Sequence, residues 1–183
     1  MTEQAISRSN PSIKAQTIAA AAAVVGAVAV PQIFHLIGAA SGLGTSLGET
    51  FLPMHLPILL VGLLAGSFAG AVSGLLGPLA SFLMTGMPGS AMLPFMMLEL
   101  FGYGLFAGLL RNAKMPSIAK VLLAQLGGRA VRAAAVLISV YALGNTAVGV
   151  ASIWKTVVTG LFGLALQWTL IPLIIYRVEH RAE

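Results

Sequence analysis

The chain has 183 residues, of which 58% are hydrophobic and only 8% are charged, whereas an ordinary soluble domain carries roughly 25% charged residues. Since a soluble fold needs a charged surface, the composition excludes a soluble domain and predicts one all-α integral membrane protein. The net charge of +5 comes from charges placed between apolar runs. We therefore attribute it to membrane topology and predict no nucleic-acid partner.

Long apolar runs follow one another along the chain, and a spanning helix needs about 17–25 such residues. The predicted segments are a cytoplasmic tail at 1–12, apolar runs at 13–37, 51–89, 91–110, 118–143 and 154–176, and a second cytoplasmic tail at 177–183. The first run is too long for the core of a signal peptide, so we interpret it as the first span. The runs are long and continuously apolar, which does not favour a membrane β-barrel.

The stretch 51–89 decides the topology because it is too long for one crossing. Folded back near residues 66–68, it gives six spans and brings seven of the ten basic residues to the same side as both termini: Arg8, Lys14, Arg111, Lys114, Lys120, Arg177 and Arg181. By the positive-inside rule this side is cytoplasmic, in a multi-pass protein of the cytoplasmic membrane. Glycines recur every four residues across the turn and favour close helix packing: Gly62, Gly66, Gly70 and Gly74.

Polar residues inside the spans are the main functional signal, because they are costly there and usually face a cavity or a partner. Glu99 and Tyr103 share one helix face. We expect Glu99, Arg129 and Gln167 to meet in one cluster between three helices. The candidate substrate-binding residues are Glu99, Tyr103, Gln125, Arg129, Arg132, Gln167 and His55.

Each of these residues also has a structural interpretation. Glu99 and Arg129 could form an architectural ion pair, Gln167 could make only an interhelical hydrogen bond, and Arg132 could point to the outer surface. The two prolines around His55 give it a structural interpretation as well. Of the two tryptophans, Trp154 is expected at a membrane interface and Trp168 against lipid.

No catalytic or metal-binding pattern stands out. His35 and His55 flank the first outer loop, but nearby carboxylates are scarce and cysteine is absent, so we predict no metal site. HExxH and GxxxxGK[ST] motifs are missing, so the chain is not expected to be an enzyme or to hydrolyse ATP. Two alternatives stay open: an intramembrane enzyme that would have to use His35, His55 or Glu99, and a small structural or assembly protein without a pocket.

Five short motifs give the chain a resemblance to a known family. In chain order they are FLPMHLP at 51–57, GPLASFLMTGMP at 77–88, MMLELFGYG at 96–104, GGR at 127–129 and LQWTLIP at 166–172. In order and spacing, the chain resembles a substrate-binding S component of the energy-coupling factor (ECF) vitamin transporters over about residues 13–176. The motifs are most similar to the branch that includes pantothenate S components.

The resemblance implies a six-helix bundle with both termini cytoplasmic and a small-molecule site near the outer face. The loop at 38–50 would cover this site, with 85–90 as a second lid element. It also implies that the first helix docks on a membrane coupling subunit through Ala15, Ala19 and Ala23.

The coupling subunit would in turn bind two ATPases. ATP would therefore be used by partner subunits, with no cofactor in this chain. Pantothenate is the first predicted substrate; folate, cobalamin, riboflavin and other cofactor precursors stay open.

Overall fold

The structure, a computed structural model, describes residues 11–180; the tail residues 1–10 and 181–183, with Arg8 and Arg181, lie outside it. Within this range every regular element is a helix: α1 (Ile13–Ala40), α2 (Ser46–Phe51), α3 (His55–Ala65), α4 (Ser67–Thr85), α5 (Leu93–Leu109), α6 (Ser117–Tyr141), α7 (Ala151–Thr159) and α8 (Leu161–Glu179). Five described stretches are long and apolar enough to cross a membrane: Ile13–Ala40, Ser46–Ala65, Ser67–Thr85, Ser117–Tyr141 and Leu161–Val178. Leu93–Leu109 is a shorter apolar helix.

The predicted break in the long apolar stretch is confirmed. Helix α3 ends at Ala65 and α4 begins at Ser67, and between them Gly66 has φ 112° and ψ 177°. Backbone with such a positive φ is accessible to glycine at little cost. The two helices have 11 and 19 residues.

Contacts show that successive long helices run in alternating directions. Gly70 of α4 lies against Gly104 of α5, and Gly74 lies against Leu100, so these helices are antiparallel. The start of α3 lies beside the middle of α5, and Gly62 lies against Gly104 and the residues after it, so α3 runs parallel to α5 and antiparallel to α4. The chain therefore folds back at Gly66.

The bundle has two distinct ends. At one, Gln16 of α1 lies next to Gly66, and the Nε of Arg111 donates to the Leu64 carbonyl at 3.1 Å. Near this end Ile175 of α8 and Val121 of α6 belong to the same core cluster. We call it the closed end. The opposite end, called the cavity end, carries α2, α7 and the segment between α4 and α5.

Helices α4 and α5 meet backbone to backbone. A Cβ atom at Gly70 would overlap the backbone of Gly104, and one at Gly104 would overlap Gly70. A Cβ at Gly108 would overlap Ser67 in the same way. The predicted packing role of the glycine repeat is thus confirmed, as expected for helices that associate closely in lipid.

Two adjacent glycines of α6 make room for aromatic rings of α5. A Cβ at Gly127 would overlap the ring of Phe106, and one at Gly128 would overlap the ring of Tyr103. Gly102 also lies against the backbone of Gly128. These contacts fix the antiparallel register of α5 against α6.

The prediction of one continuous last span at 154–176 is wrong. Gly160 interrupts the run, so α7 ends at Thr159 and α8 starts at Leu161. Trp154 lies on α7 and is 70% exposed.

One of the three residues of the predicted docking stripe on α1 does not lie at the surface. Ala15 is exposed and Ala19 is half-buried, but Ala23 is buried against Val61 and Ala69 inside the bundle. Because an α-helix has 3.6 residues per turn, a spacing of four drifts by about 40° at each step. Over two steps the stripe turns from the surface into the core.

Candidate functional site

A cavity of about 410 Å³ occupies the cavity end of the bundle. Its wall includes residues from α1, α2, α3, α5, α6 and α7, and from the segment that joins α4 to α5. Apolar side chains such as Met54, Met92 and Met96 line part of it. Its charged floor is formed by Glu99 of α5 with Arg129 and Arg132 of α6.

Glu99 is buried and both of its carboxylate oxygens are used. Nη1 of Arg132 donates to Oε2 at 2.6 Å, and the hydroxyl of Tyr103 donates to Oε1 at 3.0 Å. Nη1 of Arg129 lies 3.9 Å from Oε1, which is an ion-pair distance beyond hydrogen-bond reach. Arg132 is therefore the main partner of Glu99, and Arg129 is the second.

The ion pair considered for Glu99 and Arg129 is present, but it is the longer of the two that Glu99 makes, and the outward orientation considered for Arg132 is wrong. Because α5 and α6 are antiparallel, the position three residues before Gly102 on α5 lies opposite the position about four residues after Gly128 on α6. This register puts Glu99 opposite Arg132, whose side chain is 6% exposed. Arg129 lies one turn away, toward the closed end, and its side chain is 17% exposed.

Three predicted site residues do not line the cavity: Tyr103, Gln125 and Gln167. Tyr103 is buried behind the floor, where it holds Glu99. Nε2 of Gln125 donates to Oε1 of Gln167 at 2.8 Å, and Nε2 of Gln167 donates to the Leu52 carbonyl at 3.3 Å. The two glutamines thus hold helices together, which is the structural interpretation considered for Gln167.

Trp168 belongs to the same network. Its Nε1 donates to Oε1 of Gln125 at 2.6 Å, and its side chain packs against the main core cluster. The expectation of simple lipid contact is therefore wrong, because the indole N–H has a partner on α6.

His55 connects the cavity wall to the core. Its side chain is buried, lines the cavity and lies with its ring centroid 5.3 Å from that of Tyr103. Its Nδ1 is buried without a hydrogen-bond partner in the described part of the chain. It is positioned both to pack on Tyr103 and to face a bound molecule.

The two predicted lid segments both border the cavity. Thr45, Gly48 and Glu49 line it from the first outer loop, and Met87, Pro88 and Gly89 line it from the 85–90 segment. The short helix α2 is held at its end by aromatic rings, with Phe51 centroid distances of 5.3 Å to Phe34 and 6.4 Å to Phe162.

Helix α7 was not predicted as part of the wall. Four of its polar residues line the cavity: Ser152, Lys155, Thr156 and Thr159. Their spacing of three, one and three residues is that of one helix face, so the pattern was present in the sequence. It was hidden because the apolar run through Gly160 looked like one continuous span.

Within residues 11–180, no group of three or more histidine and acidic side chains is placed to hold a metal ion. The cavity is suited instead to binding a small molecule. It can enclose an organic molecule of moderate size, with apolar contacts on much of its surface and charged contacts at one end.

The comparison with known families agrees with this geometry. Residues 14–175 match the family described as ECF transporter, substrate-specific component. No match was found among curated protein sequences or among solved structures. The matched range contains every residue of the cavity wall.

Proposed function

The chain belongs to the family of ECF transporter substrate-specific components, and from that premise we propose that it captures a vitamin or cofactor precursor in the cavity described above. Members of this family are substrate-binding subunits of transporters, so the prediction that the chain is not an enzyme is confirmed and the enzyme alternative is wrong. One observation carries the proposal: the cavity of about 410 Å³ above a charged floor. Small-molecule sites typically measure 300–1,000 Å³ and combine apolar walls with a few polar groups.

Six spans with both termini in the cytoplasm fit the bundle best. Five stretches meet the length of a span, and α5 with 17 residues would be the sixth. The closed end carries Arg111, Lys114 and Lys120 in and beside the α5–α6 loop, which favours the cytoplasmic side. The cavity would then open to the outside of the cytoplasmic membrane.

Native mass spectrometry of the full chain, purified in detergent without added ligand, tests the capture proposal. We expect a copurified small molecule, and pantothenate is the first candidate mass because of the motif resemblance. Its release on mild collisional activation and rebinding on addition would support the proposal. If no small molecule copurifies and none of a panel of pantothenate, folate, riboflavin and cobalamin binds, the proposal is wrong.

Transport energy would come from partner subunits. Substrate-specific components of this family work with a coupling subunit and ATPases, so we propose that this chain joins a coupling subunit and two ATPases that use ATP. The proposed contact is the exposed face of α1, where Ala15 and Ala22 both face outward.

Copurification tests this partnership. With Ala22→Trp, we expect the chain to keep its ligand but to lose the coupling subunit and ATPases, because the indole would block close helix contact. Leu83→Trp, at an exposed position on α4, is the matched control and should keep the complex. Equal recovery of the complex with both variants would contradict docking through α1.

A further inference from the structure

We propose that the substrate is an organic anion that carries one carboxylate, and that the guanidinium of Arg129 binds this group. The inference rests on the proposed function, since it assumes that the cavity holds the substrate. It adds the chemical class of the molecule and the residue that selects it.

The charged side chains around the cavity do not balance. Its floor holds two guanidinium groups, those of Arg129 and Arg132, but only one carboxylate, that of Glu99. Higher on the wall, Lys155 and Glu49 add one charge of each sign. With the histidines taken as neutral, the wall carries one positive charge that no acidic side chain of the wall balances.

The two guanidinium groups differ in their hydrogen bonds: Arg132 donates to Glu99 through Nη1, while its Nε and Nη2 are buried without a partner in the described part of the chain. Oε2 of Glu99 accepts from Arg132 at 2.6 Å, and Oε1 accepts from Tyr103 at 3.0 Å. Arg129 makes no hydrogen bond within the described part of the chain; its contact with Glu99 is the 3.9 Å ion pair. Its five N–H donors are therefore available for an incoming acceptor.

Exposure points to the same residue. The Arg129 side chain is 17% exposed, against 6% for Arg132, and both line the cavity. A charge at this depth of a membrane bundle is costly unless it is paired. A carboxylate is the natural counterpart, because the planar guanidinium can bind both of its oxygens with parallel hydrogen bonds.

Glu99 acts in this scheme as a positioning residue. Because its carboxylate lies 2.6 Å from Arg132 and 3.9 Å from Arg129, it offsets the repulsion between the two guanidinium groups and leaves Arg129, the more exposed of the two, for the substrate. The rest of the molecule would contact the methionine side chains of the wall, which adapt readily to irregular shapes. The substrate class is therefore a small carboxylic acid with a largely apolar body.

Paired ligands test the inference on the full-length protein in lipid nanodiscs. The probes are acids and their neutral analogues of nearly equal size: pantothenate and panthenol, biotin and biotinamide, nicotinate and nicotinamide. For the pair that binds, we expect the acid to bind at least about 30-fold more tightly than its analogue, as for a buried charge pair with one partner removed. Arg129→Gln should abolish this preference, and Arg129→Lys should keep part of it.

Arg177→Gln is the matched control, because Arg177 is exposed on α8 near the closed end, and it should keep the full preference. If Arg129→Gln does not fold, the inference is tested by the ligand preference of the wild-type protein and by the charge of its copurified ligand. A neutral or phosphate-bearing copurified ligand, or equal affinity for acid and analogue, would overturn the inference while the capture function stands. Failure of every small molecule to bind would instead overturn the capture function itself.

Discussion

The closed end and the cavity end of the bundle are built on different principles. Around Gly70 and Gly104, helices touch through backbone atoms, with no side chain between them. At the cavity end, the floor and the neighbouring helix contacts consist of long polar side chains such as Arg132 and Gln167, and the helices leave about 410 Å³ free. Backbone contact fixes the helix register, and that register in turn determines which charges meet at the floor.

The floor is where we expect the largest effect of a single substitution. Glu99→Ala would leave the guanidinium group of Arg132 buried without its carboxylate, and removal of one partner of a buried pair costs about 3–5 kcal/mol. Thermal stability in detergent, read as monodisperse protein remaining after heating, measures this loss. Glu49→Ala is the matched control, because Glu49 is exposed, and it should change stability by less than about 0.5 kcal/mol. Equal midpoints for the two variants would show that the floor pair is not needed for the fold.

The next largest effect is expected for substitutions at the glycine contacts near the closed end. Gly104→Ala would force a Cβ into the backbone of Gly70, and overpacking of this kind costs about 1–3 kcal/mol. Gly149→Ala offers a fair comparison, since a Cβ at Gly149 meets nothing within 4 Å. The same heating assay should show that Gly104→Ala is less stable than Gly149→Ala. A Gly104→Ala protein as stable as the control would mean that the helices can move apart without loss.

Much of this architecture could be predicted from sequence. Long apolar runs indicated the helices, and charge asymmetry required a break near Gly66, because both are properties of local composition. The pairing of Glu99 with Arg132 could not be predicted. It depends on the offset between α5 and α6, which Gly102 and Gly128 set by contact, and distances counted from span ends are too coarse to distinguish Arg129 from Arg132.

The errors on α1 and α7 have a common cause. Apolar runs show that a helix exists, but they do not show which of its faces is covered. Ala23 looked like a surface residue until Val61 and Ala69 were seen to cover it. On α7, the polar face from Ser152 to Thr159 was a usable signal, but Gly160 was not interpreted as a break.

The glutamine network is expected to have a smaller effect than either packing or charge. Gln167→Leu would remove the hydrogen bonds to Gln125 and to the Leu52 carbonyl, at about 1 kcal/mol. Since Leu52 joins α2 to α3, α2 should also become more mobile. The chain has no cysteine, so a spin label at Ser46→Cys reports this directly. Thr169→Val, an exposed position, should leave the label unchanged; an equally unchanged spectrum for Gln167→Leu would show that α2 is held by its aromatic contacts alone.

The smallest expected effect is that of Lys155 on the cavity wall. Its side chain is exposed, so Lys155→Gln should change stability by less than about 0.5 kcal/mol. If the substrate is an anion, however, the variant should bind it several-fold more slowly at low salt, because exposed charges act mainly on association rates. This difference should disappear at about 1 M salt, where the screening length is near 3 Å. Stopped-flow experiments measure the association rate at low and at high salt. The matched control is Lys114→Gln in the α5–α6 loop at the closed end. A slower rate with Lys114→Gln, or a Lys155 effect that persists at high salt, would place the positive field somewhere other than the entrance of the cavity.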